Sequence, residues 1–204
     1  MGRMPTPAIS LTLPTLGVTP GGTDASSWGA LINAALTLLA TKFRLQLIET
    51  RAPSGVQTTT FGDVTPLAGD TDGIYVVVAK GKSAAAGDGN GYIKPNGALT
   101  NVTTQFLQGA GGSANANNGA QISFVTRQGG TFTLFAIIWA TSGGRRAWVA
   151  LAGADNAAGA ATDVVATYGV WNDTATVLTT LALDGGAAAA WGAGSTVSLY
   201  RLGT

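Results

Sequence analysis

The chain has 204 residues, of which 46% are hydrophobic and 10% are charged, with a formal net charge of +1, so it can bury a core but has far less charge than the roughly 25% of an ordinary soluble domain. Because it contains no cysteine and no histidine, disulfides, zinc–thiolate sites, thiol nucleophiles and the usual general base at neutral pH are excluded. The near balance of charge also argues against binding to nucleic acid or to an acidic membrane surface.

The first segment of the chain, from residue 4 to about residue 22, is predicted to be an extended arm. Four prolines interrupt it, and Ile9, Leu11 and Leu13 alternate with polar residues between them, a pattern that cannot fold on itself. We therefore expect the arm to lie along another surface, such as the sheet edge of a neighbouring chain. The segment also lacks the compact apolar stretch of a secretion signal, so we expect the protein to be used without export.

One short helix is predicted directly after the arm. Asp24, Ser26 and Ser27 can cap its first turn, and apolar residues then recur at helical spacing as far as Phe43. Its other face is polar but nearly uncharged, so the helix can dock on the protein's own sheet or pack against copies of itself or a neighbouring protein. The residues predicted to form an attachment or oligomerisation interface are Ile9, Leu11, Leu13, Trp28, Leu31, Ile32, Ala35, Leu36, Leu39 and Phe43.

The rest of the chain is predicted to be a β domain over residues 45–204, after an attachment segment at residues 1–44. In its last stretch Val197 and Leu199 point to one side of a strand and Ser198 and Tyr200 to the other, and such a strand is expected to fill an open slot in a sheet. Many short strands without intervening helices predict a mainly β fold, an antiparallel β-sandwich or jelly roll. Strands are predicted at residues 45–50, 57–61, 73–80, 92–93, 101–107, 120–127, 131–141, 145–151, 166–172, 176–183 and 196–202.

Three short motifs resemble ligand-binding loops but are better explained as turns. The sequence GKS at residues 81–83 follows a strand, as a phosphate-binding loop would, but lacks the earlier glycine of that motif. The sequences GDTDG and GDGNG offer Asp70, Asp72, Asp88 and Asn90 as oxygen ligands. Both lack the remaining calcium ligands and the closing glutamate.

Other residues that could bind a ligand or take part in catalysis are expected to have structural roles. Arg145 and Arg146 follow two glycines and are expected to form a solvated turn rather than a phosphate contact. Trp139 and Trp148 lie within strong strand patterns and are expected to pack in the core rather than to stack on sugars. Nothing in the spacing of the ten acidic residues pairs two of them for glycoside hydrolysis. No catalytic residue, cofactor or metal site is therefore predicted.

The two ends of the chain together resemble bacteriophage virion proteins of the tail-fibre, minor-tail and decoration type. The similarity lies in LTLPTLGVTPGGTDASSWGALINAALTLL at residues 11–39 and in YGVWNDTATVLTTLALDGGAAAAWGAGSTVSLYRLG at residues 168–203. The middle of the chain matches only in its general strand-and-turn character. The resemblance implies a non-enzymatic structural subunit that attaches to the virion through its N-terminal segment and ends in a β-sandwich.

Several expectations about location and partners follow from this resemblance. A tail-associated fibre or adhesin-like subunit is the first expectation, and a capsid decoration or head-fibre protein is the alternative. We expect a homo-oligomer, with a trimer as the expected state, and contacts with other virion proteins of the tail or capsid. The expected location is the virion, after assembly in the host cytoplasm.

Two other classes of function are alternatives to a structural role. A glycan-binding module could use Asn115, Asn117 and Asn118, in a predicted loop at residues 111–121, to bond hydroxyls of a host surface glycan, although a simple mobile loop explains the same residues. A hydrolase is disfavoured because the chain lacks both histidine and cysteine.

Overall fold

A computed structural model of the chain describes residues 45–64, 67, 73–110, 113–118, 121–140 and 144–202. Within these residues the fold is entirely β, with two antiparallel sheets and no helix. The predicted arm, the predicted helix and all of the interface residues assigned to them lie outside the described residues.

Twelve strands make up the described part of the chain, and glycine or asparagine with a positive φ angle occurs in several of the described connections between them. Gly129 and Gly186 have positive φ angles of 64° and 77°, which tight reversals of the chain require and glycine adopts without strain. The strands are β1 (Leu45–Arg51), β2 (Thr58–Phe61), β3 (Gly73–Lys82), β4 (Gly89–Pro95), β5 (Val102–Ala110), β6 (Ser113–Asn118), β7 (Phe124–Thr126), β8 (Thr131–Ala140), β9 (Arg146–Asp155), β10 (Ala161–Trp171), β11 (Leu181–Asp184) and β12 (Thr196–Leu202).

The strands form two layers of unequal size. The larger sheet has eight strands in the order β1-β12-β3-β8-β9-β10-β5-β6, and the smaller has four in the order β2-β11-β4-β7. β12 pairs with β1 on one side and with β3 on the other. The last strand therefore fills an interior slot of the larger sheet, as its alternating pattern predicted.

The core lies between the two sheets: long strands of the larger sheet contribute alternate residues, whereas β7 and β11 of the smaller sheet are buried at every position. In β8, Phe132, Leu134 and Ala136 are almost fully buried while the residues between them are exposed. Phe132 packs against Phe124 and Trp191, with ring centroids 5.7 and 4.9 Å apart, respectively. This aromatic cluster joins the two layers, and the packed layers show the sandwich expected from the sequence.

Several strand boundaries differ from the predicted ones, and the strand predicted at residues 176–183 is confined to Leu181–Asp184 although residues 176–180 are rich in threonine and valine. β6 occupies part of the segment that was predicted to be a loop, and it pairs along its whole length with β5 at the edge of the larger sheet. β10 begins at Ala161 rather than at residue 166 because β9 and β5 supply hydrogen-bonding partners on both sides. Pairing with neighbouring strands therefore overrides local propensity at these positions.

Candidate interaction surface

The surface of interest is the outer face of the larger sheet, defined as the outward-pointing residues of β3, β5, β8, β9, β10 and β12. Along each of these strands the inward residues belong to the core, so the residues between them face away from the smaller sheet. Most of these outward positions are apolar. Eight large apolar side chains on this face are between 38% and 58% exposed: Val78, Leu107, Phe135, Trp139, Val149, Leu151, Val164 and Tyr168.

Strand pairing places these eight side chains in contiguous rows across the sheet. Phe135 of β8 lies directly opposite Leu151 of β9, and on its other side opposite Val78 of β3. Val149 of β9 lies opposite Tyr168 of β10. Cross-strand neighbours on one face are about 5 Å apart, so the exposed apolar residues form one continuous patch rather than scattered single positions.

Charge on the outer face is confined to one end of the sheet. Among the outward residues of these six strands the charged ones are Lys80, Lys82 and Asp155. The backbone amide and the hydroxyl of Thr131 donate hydrogen bonds to the Asp155 carboxylate, and both bonds hold its pKa below the usual range. The middle and the opposite end of the face therefore present an uncharged surface.

The relief of the outer face is a ridge with a depression on each side. Phe135 and Leu151 form the ridge and border both depressions. One depression, of about 540 Å³, is lined by the small residues Thr133 and Gly153. The other, of about 630 Å³, lies towards β10 and β5 and is lined by Ala166. The ridge and the depressions arise because the paired large residues Phe135 and Leu151 lie next to a pair of small residues, Thr133 and Gly153, and on the β10 side next to Ala166.

The charged side chains nearest the core are used in structural networks away from the outer face. Arg127, which follows β7, donates through Nε and Nη2 to the buried Asp163 of β10 at 2.5 and 2.7 Å, and through Nη1 to the exposed Asp88 at 2.7 Å. Gln108 of β5 donates to the same Asp163 at 2.6 Å. The hydrogen bonds that Arg127 donates to Asp163, first of all, and to Asp88 raise the pKa of Arg127 above its ordinary value. This cluster therefore joins the two sheets with a permanently charged guanidinium.

Asp88 belongs to one of the sequence motifs considered as a calcium loop, and its contacts support the turn interpretation. Its carboxylate accepts a hydrogen bond from the backbone amide of Gln128 at 2.9 Å in addition to the bond from Arg127. The backbone bond and the Arg127 bond lower the pKa of Asp88. Within the described residues no group of three or more acidic side chains lies together in a way that could hold a metal ion. Asp70 and Asp72 of the other motif lie outside the described residues.

The prediction for the arginine pair is correct for one residue and wrong for the other. Arg145 is exposed, whereas Arg146 is only 1% exposed. The Arg146 guanidinium lies 4.9 Å from the ring centroid of Trp171 and donates to the carbonyl oxygens of Asp173 and Thr176. Arg146 therefore anchors the loop after β10 instead of forming a solvated turn.

The tryptophans also divide between the core and the outer face. Trp148 is fully buried, as predicted, and so are Trp171 and Trp191. The prediction of a core position for Trp139 is wrong, because it points outward from β8 and is 38% exposed at one end of the apolar patch. In the sequence the patch is marked by large apolar residues at both odd and even positions of β8, but this pattern is equally typical of a strand that is buried on both faces.

Comparison of the chain with protein-family models, with curated proteins and with solved structures gave no match. In the part of the chain that the structure describes, no helix is long and apolar enough to cross a membrane. Asn115, Asn117 and Asn118 lie on β6 rather than in a loop.

Proposed function

We propose that this chain is a non-enzymatic structural subunit of a bacteriophage virion, placed in a tail-associated fibre or adhesin-like assembly and anchored by its N-terminal segment. The observation that carries the proposal is the outer face of the larger sheet, where eight large apolar side chains are exposed. Contiguous apolar surface of this size on a soluble protein is typical of a protein–protein contact. In a larger assembly, neighbouring subunits cover such an apolar surface and remove it from water.

The low charge of the chain supports the same proposal. Only 10% of the residues are charged, and on the six strands of the outer face the charge is limited to one end. A protein that works as a freely diffusing monomer needs surface charge to stay soluble, whereas a subunit with neighbours needs less. Placement in a phage particle is supported by the resemblance of the two ends of the chain to virion proteins.

The proposal is tested by locating the chain in purified particles of the phage that encodes it. Quantitative mass spectrometry of intact particles and of separated heads and tails should find it at a fixed copy number in the tail fraction. Recovery in the head fraction at hundreds of copies would favour the alternative, a capsid decoration or head-fibre protein. Absence from the particles would overturn the proposal.

A deletion tests the proposed role of the arm. Removing residues 1–22 should leave the melting temperature of the β-sandwich close to that of the full chain, because the described strands begin at Leu45. The same deletion should abolish incorporation into particles. Normal incorporation of the truncated chain would show that the arm is not the attachment segment.

A further inference from the structure

We propose that the outer face of the larger sheet packs against a second copy of this chain, an inference that rests on the proposed role as a repeated structural subunit. The occupant must match a surface that is apolar across its middle and charged only at the end with Lys80, Lys82 and Asp155. Three properties of the face, its chemistry, its relief and its size, favour a copy of the same surface over another partner.

The chemistry of the face fits a copy of itself. An uncharged surface meets its own copy without repulsion between like charges, and burial of both surfaces removes apolar area from water. A strongly charged partner, such as a nucleic acid or an acidic peptide, would lose hydration against this face without gaining an opposite charge. The face therefore selects an apolar, uncharged partner, and an identical face satisfies that requirement.

The relief of the face also fits a copy of itself. The ridge of Phe135 and Leu151 stands between the depression at Gly153 and the depression at Ala166. A ridge with a depression beside it is complementary to the same relief in another orientation, because the ridge of each copy can enter a depression of the other. Two flat apolar sheets would lack this means of fixing their relative position.

The size of the face is close to what a specific interface needs. At the seven-residue length of β12, the shortest of the six strands, a spacing of about 4.8 Å between strands and a rise of about 3.4 Å per residue give a footprint of about 700 Å². A specific protein–protein interface of standard size buries about 800 Å² on each partner. The outer face can therefore support a stable association without any other surface.

A matched pair of valine variants of the full chain tests the inference. Val164→Asp places a charge on the outer face at a position that is 58% exposed, and Val177→Asp places the same charge at a loop position that is 51% exposed. Light scattering and mass photometry across micromolar concentrations should show an oligomer for the parent and for Val177→Asp. Val164→Asp should weaken self-association at least tenfold while its circular dichroism stays unchanged.

Cross-linking provides a second measurement that does not depend on a destabilising charge. The chain has no cysteine, so Ala166→Cys and Ala98→Cys each introduce one thiol, the first on the outer face and the second on an exposed turn. A short bis-maleimide should join two copies of Ala166→Cys and leave Ala98→Cys mostly monomeric. Protection of Ala166→Cys from maleimide in a species of monomer mass would show that residues 1–44 of the same chain cover the face, and it would overturn the inference.

Two further results would overturn the inference, and neither of them would contradict the proposed function. A parent chain that is monomeric at tens of micromolar would show that the face does not bind its copy. Equal self-association of the parent and Val164→Asp would place the oligomer contact elsewhere on the chain. Detection in purified particles tests the proposed function separately. If the chain is found in particles but gives either of these two results, the proposed function stands and only this inference is overturned.

Discussion

The indole of Trp148 lies across Gly169 on the neighbouring strand. The two residues are directly paired between β9 and β10, and a Cβ added at Gly169 would overlap the indole ring. Trp148 is fully buried, so its ring has no free space into which it can move. The absence of a side chain at Gly169 is therefore a condition for the Trp148 indole to fit in the core.

We predict that Gly169→Ala lowers the free energy of unfolding by about 2–3 kcal/mol, since overpacking a dense core typically costs about 1–3 kcal/mol. Gly153→Ala is the matched control on the opposite face, because an added Cβ there would lie 3.6 Å from Thr133 Oγ1, an ordinary contact distance. It should change the free energy of unfolding by less than about 1 kcal/mol. Urea denaturation followed by circular dichroism, with all variants at one protein concentration, measures both. Equal effects of the two variants would contradict the steric argument.

Arg127, which joins the two sheets, has one buried and one exposed carboxylate partner. We predict that the two partners contribute very unequally to the free energy of unfolding. Removing the guanidinium in Arg127→Met leaves the fully buried Asp163 without its main partner and should cost about 3–5 kcal/mol. Asp88→Asn removes only the exposed partner, whose side chain is 55% exposed, and should cost less than about 1 kcal/mol. Urea midpoints of the two variants and the parent give the comparison. A loss for Asp88→Asn as large as that for Arg127→Met would show that the buried carboxylate is not the dominant partner.

The adjacent arginines at the start of β9 provide another matched pair. In Arg146→Lys a single ammonium replaces a planar group that contacts Trp171 and two carbonyl oxygens at once, so we predict a loss of about 2 kcal/mol. Arg145→Lys, at the exposed neighbouring position, should leave stability unchanged. Thermal melts of both variants test this expectation, and equal melting temperatures would refute it.

We predict that stability falls in acid and that Asp184 is one of the groups responsible. Burial raises the pKa of Asp184, but hydrogen bonds from Lys94, from the Gly186 amide and from Gln57 outweigh burial and lower it overall. The unfolded chain binds the proton first as the pH falls below about 4, the ordinary value for aspartate. The stabilisation is therefore complete above that pH and is lost as the pH falls through the folded pKa.

The measurement for Asp184 is a series of urea denaturation curves between pH 7 and pH 2.5 for the parent and for Asp184→Asn. The variant should be less stable at pH 7, because it loses the Lys94 ion pair, and its stability should fall less steeply in acid. Parallel pH profiles would show that Asp184 has the same pKa in the folded and unfolded states.

The β-sandwich could be predicted from the sequence because many short segments rich in β-branched and aromatic residues are separated by turn residues, without an intervening helical pattern. β12 was predicted with its final bounds, residues 196–202, and β8 within one residue, since both combine β-branched or aromatic residues with flanking turns. β6 was missed because its sequence, SANANN, has none of these residues. Its strand conformation comes from pairing with β5, a long-range contact that single-sequence patterns do not contain.

The apolar outer face could not be predicted for a different physical reason. Phe135 and Trp139 look like core residues in sequence, because a strand that is apolar at odd and even positions is typical of burial on both faces. Which face is covered depends on where the smaller sheet packs, and that sheet covers only one side. The burial of Arg146 depends in the same way on the carbonyl oxygens of Asp173 and Thr176, which lie in a loop after a different strand.

The position of β12 between β1 and β3 has a consequence for the rate of folding. β1 pairs with no described strand except β12, and the cross-strand partners Thr50 and Ser198 are 148 residues apart in the sequence. β1 can therefore dock only after β12 has made its own long-range pairing with β3, and such non-local pairing is slow because the entropy of loop closure is lost before contacts form. We therefore expect β1 to be the last strand of the larger sheet to dock and the first whose amide hydrogens exchange with solvent.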